Sequence, residues 1–128
     1  MRILLAEDEA HVQLALRRAL EAWGYEVETR GTAAETIAAL DAQAADVLVL
    51  DVNLPDASGW DVLRAIQARD DRRTAVIVVS ALPPRSERIR EFHPYAVLHK
   101  PFPIEALRRL VRNAGAGMPA STPGTEAD

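Results

Sequence analysis

Short apolar runs alternate with amphipathic segments along most of the chain. Two of these runs, at 46–51 and 75–80, are apolar on both faces, as in the buried strands of a parallel sheet. A third segment, 25–30, alternates polar and apolar residues, which is typical of a half-exposed strand. The predicted strands lie at 2–6, 25–30, 46–51, 75–80 and 95–99.

The segments between the strands carry apolar residues at helical spacing. Thr32 and Glu35 form the T-x-x-E pattern of a capping box, Ser58 stands at a second cap position, and Gly24 stands where a helix ends. The predicted helices span 9–23, 32–43, 58–69 and 103 to about 114. Strict alternation of strand and helix predicts a doubly wound α/β fold, with helices on both faces of a five-stranded parallel sheet.

The connection between the fourth and fifth strands is short. Pro83 and Pro84 limit where a helix begins, and Pro94 disfavours helix at His93. About two turns fit between them, so we expect a fourth helix that is short, irregular or mobile. Residues 115–128 are rich in Gly, Pro and small polar residues and are expected to form a disordered tail after one domain, 1–114.

Composition narrows the classes of function. The chain has 128 residues, 48% of them hydrophobic, which is enough for one core, and no cysteine for thiolate metal sites. A net charge of -4 argues against nonspecific binding of nucleic acid. No apolar run approaches the roughly 18 residues of a membrane-spanning helix, and the N-terminus turns acidic too early for a signal peptide. We therefore expect a cytoplasmic protein without membrane association.

Polar residues stand at the ends of four predicted strands. Glu7 and Asp8 follow the first, Asp51 ends the third, Ser80 ends the fourth, and the chain's single lysine, Lys100, follows the fifth. In an open parallel sheet these carboxyl ends share one crevice. Three neighbouring carboxylates favour a bound cation, and an all-oxygen ligand set favours Mg²⁺. A hydroxyl and an ammonium suit a phosphoryl group, which makes Asp51 a candidate nucleophile.

These motifs resemble the receiver domains of bacterial response regulators. The resemblance covers residues 2 to about 114 through ILLAEDE, VLVLDVNLPDASGWDVL, VIVVSAL and HKPF, in the family's order and spacing. It implies a flavodoxin-like, CheY-like fold with strand order 2-1-3-4-5. It also implies that Asp51 is the phosphoacceptor, which receives phosphate from the phosphohistidine of a partner.

For the metal, the resemblance implies Mg²⁺ held by the carboxylates of Asp8 and Asp51 and by the backbone carbonyl of Asn53. Glu7 would act directly or through a water molecule. Gly59 fits the family's pattern in the loop that carries Asp51 into the following helix.

For the phosphoryl group, the resemblance implies surroundings made by Asn53, Ser80, Ala81 and Lys100. Lys100 would form an ion pair with it, and Ser80 would bond one of its oxygens and move with it. Ala81 is small enough to leave the phosphate approachable. The peptide bond between Lys100 and Pro101 would be cis, which is an accessible isomer at proline.

One position departs from the family, which usually couples the Ser/Thr movement to an aromatic residue three positions before the lysine. Here that position is Val97, and Tyr95 is two residues earlier, on the same strand face by the period of two. The predicted switch region consists of Ser80, Tyr95, Val97 and Pro101. We predict that phosphorylation reorders residues 82–96 and does not rotate a tyrosine inward.

Two other classes of function do not fit the same residues. A haloacid-dehalogenase-type phosphatase needs a second Asp as general acid at position 53, where this chain has Asn53. A flavodoxin needs a hydroxyl- and glycine-rich phosphate loop after the first strand, where this chain has AEDEA. The alternative that stays open is a receiver-fold adaptor that binds its partners without phosphorylation.

The expected partners are a sensor histidine kinase or histidine phosphotransferase and an unknown downstream protein. We expect a stand-alone receiver, monomeric or weakly homodimeric, which is not a dedicated enzyme although it would catalyse its own phosphoryl transfer and slow autodephosphorylation. The arginine-rich segments RSERIR and RRLVR are interpreted as solvated faces or protein contacts, not as nucleic-acid sites.

Overall fold

In a computed structural model, which describes residues 1–69 and 73–120, five strands alternate with five helices. The strands are β1 (Arg2–Ala6), β2 (Glu26–Arg30), β3 (Val47–Asp51), β4 (Ala75–Ser80) and β5 (Ala96–His99). The helices are α1 (Ala10–Ala22), α2 (Ala33–Ala42), α3 (Gly59–Ala68), α4 (Ser86–Phe92) and α5 (Ile104–Gly115).

The strands form one parallel sheet in the order β2-β1-β3-β4-β5, as the resemblance implies. The central strand β3 is buried along its whole length, which explains why its sequence lacks alternation. Asp51 is registered with Val79, so the strand ends that carry Asp51 and Ser80 lie side by side. The predicted fold class is confirmed.

Each face of the sheet supports its own hydrophobic cluster. The first cluster contains Leu4, Leu48 and Val78 and packs with residues of α2, α3 and α4 on one face. The second cluster contains Ile3 and Ile77 and packs with residues of α1 and α5 on the other face. A fully buried Leu or Ile contributes about 1.5–3 kcal/mol, so these two clusters hold the strand ends in place. No helix in the described residues is long and apolar enough to cross a membrane.

The predicted helix ends are confirmed at three positions. The Thr32 and Ser58 hydroxyls accept hydrogen bonds from the backbone N–H groups of Glu35 and Trp60, at 3.1 Å each. Gly24 has a φ of 92°, the left-handed conformation that glycine adopts without strain after a helix.

The fourth helix is short, as predicted, and its two ends are held differently. At the C-terminal end, Phe92 is buried and stacks on Trp60 of α3 with ring centroids 5.6 Å apart. The Gln67 side-chain amide also donates to the Glu91 carbonyl at 2.7 Å. At the N-terminal end, the cap residue Arg85 makes no side-chain capping bond. The helix is therefore fixed to α3 at its C-terminal end.

The region around β5 differs from the sequence-based expectation. Tyr95 lies before β5, and its side chain packs with the second cluster, on the side of α1 and α5. Val97 is paired in register with Val78, which belongs to the first cluster on the opposite face of the sheet. The prediction that Tyr95 and Val97 share a strand face is therefore wrong, because the period of two applies only from Ala96 onward.

The chain beyond α5 was predicted to be a disordered tail starting at residue 115. Gly115 is instead the last residue of α5. The Met118 carbonyl accepts a hydrogen bond from the Tyr95 hydroxyl, and Ala120 packs against the second cluster. The remaining part of that prediction falls on residues 121–128, which lie outside the described residues, as do residues 70–72.

Candidate functional site

The site lies at the carboxyl edge of the sheet, where three charged side chains from separate strand ends meet. The Lys100 ammonium, which follows β5, donates to Asp51 Oδ2 at 2.7 Å and to Glu7 Oε1 at 3.0 Å. The side chains of Asp51 and Glu7 are only 6% and 3% exposed, and that of Lys100 is 28% exposed. A compact ammonium therefore bridges two nearly buried carboxylates.

The second carboxylate oxygen of Asp51 is held by the loop that follows. Asp51 Oδ1 accepts a hydrogen bond from the backbone N–H of Asn53 at 2.8 Å. The loop closes tightly, since Gly59 N donates to the Val52 carbonyl at 2.8 Å. A Cβ atom at Gly59 would lie 2.7 Å from the Asp51 carbonyl oxygen, so only glycine allows this approach. Asp51 is thus fixed through both carboxylate oxygens.

Glu7 is fixed in the same way from the other side of the site. Its Oε2 accepts from the Glu9 backbone N–H at 3.1 Å, and its backbone carbonyl accepts from the Gln13 amide at 2.8 Å. Burial raises the pKa of Glu7, against the lowering effects of the Glu9 and Lys100 hydrogen bonds. Burial by itself lowers the pKa of Lys100, but the bonds to Asp51 and Glu7 outweigh it, and the pKa of Lys100 is raised.

The predicted acidic cluster is present. Oxygen atoms of Glu7, Asp8 and Asp51 all lie within 4.8 Å of one another, with Asp8 on the exposed side. Carboxylate oxygens are the ligands that Mg²⁺ prefers, and an exposed side leaves room for the water and phosphate oxygens that complete its coordination. The acidic cluster therefore fits a magnesium ion. That the backbone carbonyl of Asn53 is a further ligand stays a prediction.

The other predicted site residues lie around this centre. The Ser80 hydroxyl donates to the Leu82 carbonyl and accepts from the Leu82 N–H at 3.2 Å, so it is engaged in its own turn. The Ser80 carbonyl accepts from Lys100 N at 2.8 Å, which joins the ends of β4 and β5. Ala81 is exposed, and the peptide bond from Lys100 to Pro101 is cis, as the resemblance implies.

One residue that the sequence analysis missed is Asp56, in the loop after Asp51. Its carboxylate oxygens accept from the backbone N–H groups of Ala33 at 2.7 Å and Ala34 at 3.0 Å, at the start of α2. Glu9 was missed in the same way, although its carboxylate caps α1. Glu9 directly precedes α1, so its capping role has a local signal in the sequence. The two partners of Asp56 are 23 and 22 residues away in the sequence.

Comparison with known proteins identifies the family. Residues 3–112 match the model of the response regulator receiver domain. The chain belongs to this family. It is the receiver domain of a two-component response regulator, and receiver domains are signalling proteins, not dedicated enzymes.

Curated relatives support the same conclusion. The response regulator MprA of Mycobacterium leprae (strain TN) is 34% identical over 114 residues, which cover 88% of this chain and 50% of that protein. The transcriptional regulatory protein KdpE of Mycobacterium tuberculosis (strain ATCC 25618 / H37Rv) is 34% identical over an alignment of 132 positions, which covers 98% of this chain and 58% of that protein. The chain thus spans about half the length of the curated relatives it matches.

Solved structures agree on the fold. A CheY-like receiver domain protein from Methanospirillum hungatei JF-1 superposes with a TM-score of 0.79 at 25% identity, covering 90% of this chain and 94% of that one. The response regulator TrrA from Thermotoga maritima, solved in complex with Mg²⁺ and BeF, has a TM-score of 0.79 at 23% identity, covering 88% and 97%. The strand order and helix count of this receiver domain match that fold.

Proposed function

We propose that this receiver domain accepts a phosphoryl group on Asp51 from the phosphohistidine of a sensor histidine kinase or histidine phosphotransferase. The observation that carries the proposal is the placement of the Asp51 carboxylate, at a strand end, between Lys100 and the N–H of Asn53. A carboxylate oxygen of Asp51 forms the new O–P bond while the N–P bond of the donor breaks, and the imidazole leaves. The proposed signalling state is therefore an aspartyl phosphate on Asp51.

A magnesium ion would be held by the carboxylates of Glu7, Asp8 and Asp51 and by the Asn53 carbonyl. When bound, it neutralises charge on the phosphoryl oxygens, which lowers the repulsion between an anionic donor and this acidic cluster. The fit of the acidic cluster to an oxygen-liganded cation supports this assignment. So does the Thermotoga maritima relative, which was solved with Mg²⁺ and BeF.

Lys100 and Ser80 would bind the product. The Lys100 ammonium already lies 2.7 Å from Asp51 Oδ2, so it is within reach of a phosphoryl group attached there. Ser80 has to exchange its bonds with Leu82 for one to a phosphate oxygen. That exchange releases the turn after β4, which connects the chemistry at Asp51 to the surface next to α4.

The phosphorylated state would be read by a downstream protein. The curated relatives are longer regulators, so the stand-alone organisation and the cytoplasmic location expected from the sequence stay predictions, as does the absence of nucleic-acid binding. The second candidate function, a phosphorylation-independent adaptor, uses the same fold but needs no reactive Asp51. The buried pairing of Asp51 with Lys100 favours the phosphoacceptor.

Incubation with acetyl phosphate or phosphoramidate and Mg²⁺, followed by intact-protein mass spectrometry, tests the proposal. The chain is expected to gain the mass of one phosphoryl group, and Asp51→Asn is expected to gain none. Asp61→Asn is the matched control, because Asp61 is an exposed aspartate whose salt bridge to Arg64 lies on the surface of α3. No mass gain would overturn the phosphoacceptor assignment in favour of the adaptor. A gain that survives in Asp51→Asn would overturn it by placing the phosphoryl group on another residue.

A further inference from the structure

Asp56 connects two parts of the chain that are distant in sequence. It stands at the tip of the β3–α3 loop (residues 52–58), and its two carboxylate oxygens accept from two successive N–H groups at the start of α2. The first N–H groups of a helix have no partner within the helix, and a carboxylate there is favoured by both hydrogen bonding and the helix dipole. The hydrogen bonds from Ala33 and Ala34 lower the pKa of Asp56, which keeps it ionised.

The same loop carries the groups that position the acceptor. At its base, Gly59 N bonds to the Val52 carbonyl, and Asn53 pairs with Ser58 across the loop. Leu54 is buried in the first cluster. The Asn53 N–H then holds Asp51 Oδ1. A displacement of the loop tip is therefore transmitted to the amide that orients Asp51 and to the carbonyl proposed as a magnesium ligand.

We infer that Asp56 is a positioning residue for the phosphorylation site, which acts by fixing the β3–α3 loop to the N-terminus of α2. This inference rests on the proposed function, because the site it serves is the proposed magnesium and phosphoryl site. Asp56 does not contact the reacting atoms. It positions Asn53, and Asn53 positions Asp51 and would position a bound metal ion.

The chain offers a matched control for this inference. Thr32 caps the same helix, because its hydroxyl accepts from the Glu35 N–H at 3.1 Å, but it is not part of the β3–α3 loop. Thr32→Ala and Asp56→Ala each remove a cap from α2, and both are expected to lower the thermal midpoint of unfolding. Only Asp56→Ala releases the loop.

The test compares wild type, Asp56→Ala, Asp56→Asn and Thr32→Ala by two measurements. Magnesium affinity is measured by calorimetry, and amide hydrogen exchange of the metal-free chain is followed residue by residue by NMR. Asp56→Ala is expected to weaken Mg²⁺ binding by about tenfold, the low end for groups that orient metal ligands, with faster exchange of the Asn53 and Gly59 amides. Asp56→Asn keeps one acceptor oxygen and is expected to give a smaller effect.

Thr32→Ala is expected to leave both the magnesium affinity and the Asn53 and Gly59 exchange rates at their wild-type values. Equal effects of Thr32→Ala and Asp56→Ala, or no effect of Asp56→Ala on either quantity, would overturn the inference. Failure of the wild-type chain to bind Mg²⁺ would instead count against the proposed function. The exchange rates of the metal-free chain would still decide whether Asp56 fixes the loop.

Discussion

Two loops leave adjacent strands at the same edge of the sheet, yet they are held very differently. The β3–α3 loop is tied at its base by Gly59, at its tip by Asp56, and inward by the burial of Leu54. The β4–α4 loop (residues 81–85) begins with the bonds between Ser80 and Leu82. Leu82 itself is 76% exposed, and the helix that follows starts without a side-chain cap.

This difference separates the two tasks that a phosphorylation switch has to combine. Phosphoryl transfer needs an acceptor and metal ligands in fixed positions, which the β3–α3 loop provides. A response needs a segment whose alternative arrangements differ little in free energy, which an exposed loop with few contacts provides. The β4–α4 loop is coupled to the chemistry because Ser80, where the loop begins, is also a proposed phosphate ligand.

The largest effect is expected where the fixed loop is tightest. In Gly59→Ala the new Cβ would meet the Asp51 carbonyl oxygen at 2.7 Å, so the backbone of the acceptor has to shift. We expect a loss of about 1–3 kcal/mol in unfolding free energy, measured by urea titration. We also expect phosphorylation by acetyl phosphate to slow by roughly tenfold or more.

Gly31→Ala is the control, because a Cβ at Gly31 meets no atom within 4 Å. If both variants behave alike, the close approach at Gly59 does not hold the loop, and the contrast between the two loops loses its main support.

The second effect concerns Lys100, which joins the two loops. Its ammonium bonds Asp51, and its backbone N–H bonds the Ser80 carbonyl. In Lys100→Arg, the larger planar guanidinium does not fit between two buried carboxylates, so we expect phosphorylation to slow by about tenfold. Rates with phosphoramidate measure this, with the exposed Arg64→Lys as control. An unchanged rate in Lys100→Arg would mean that charge alone is needed at this position.

A smaller effect is expected in the β4–α4 loop. Ser80→Ala removes the two hydrogen bonds with Leu82, and we expect a loss of about 1 kcal/mol in stability. The Leu82 amide should exchange faster with solvent, as followed by NMR. Ser86→Ala, an exposed substitution at the first residue of α4, should leave the Leu82 amide unchanged. Unaltered exchange in Ser80→Ala would show that other contacts hold the loop.

The smallest effect is a pH dependence at the loop tip. The pKa of Asp56 lies below its ordinary value of 3.8, so its ionised form stabilises the folded chain. This stabilisation is complete above pH 3.8 and is lost as the pH falls through the lowered pKa. The stability difference between wild type and Asp56→Ala should therefore shrink on acidification below that value, in denaturant titrations at several pH values. A difference that stays constant would contradict the role of the carboxylate charge.

The sequence pattern was sufficient for the parallel sheet and for the meeting of Glu7, Asp51 and Lys100, whereas the strand order came from the resemblance to the family. Polar residues at the carboxyl ends of buried parallel strands lie at the same edge of the sheet, so their convergence follows from topology. The role of Asp56 could not be predicted, because its partners are N–H groups of a helix that only the tertiary fold brings near. The face of Tyr95 was predicted wrongly, since periodicity does not say at which residue a strand begins.

The hypothesis that phosphorylation reorders residues 82–96 stays a prediction, which the structure makes more specific. The stacking of Phe92 on Trp60 and the bond from Gln67 to the Glu91 carbonyl fix the C-terminal end of α4. The first segment to respond should therefore be the β4–α4 loop.

Amide hydrogen exchange, measured by NMR with and without Mg²⁺ and the phosphate mimic beryllofluoride, tests the contrast between the two loops most directly. The Leu82 amide bonds the Ser80 hydroxyl, and the Gly59 amide bonds the Val52 carbonyl, so each reports on one loop. We predict that beryllofluoride changes the exchange of Leu82 markedly while that of Gly59 stays slow. Unchanged exchange at Leu82, together with a large change at Gly59, would contradict the account.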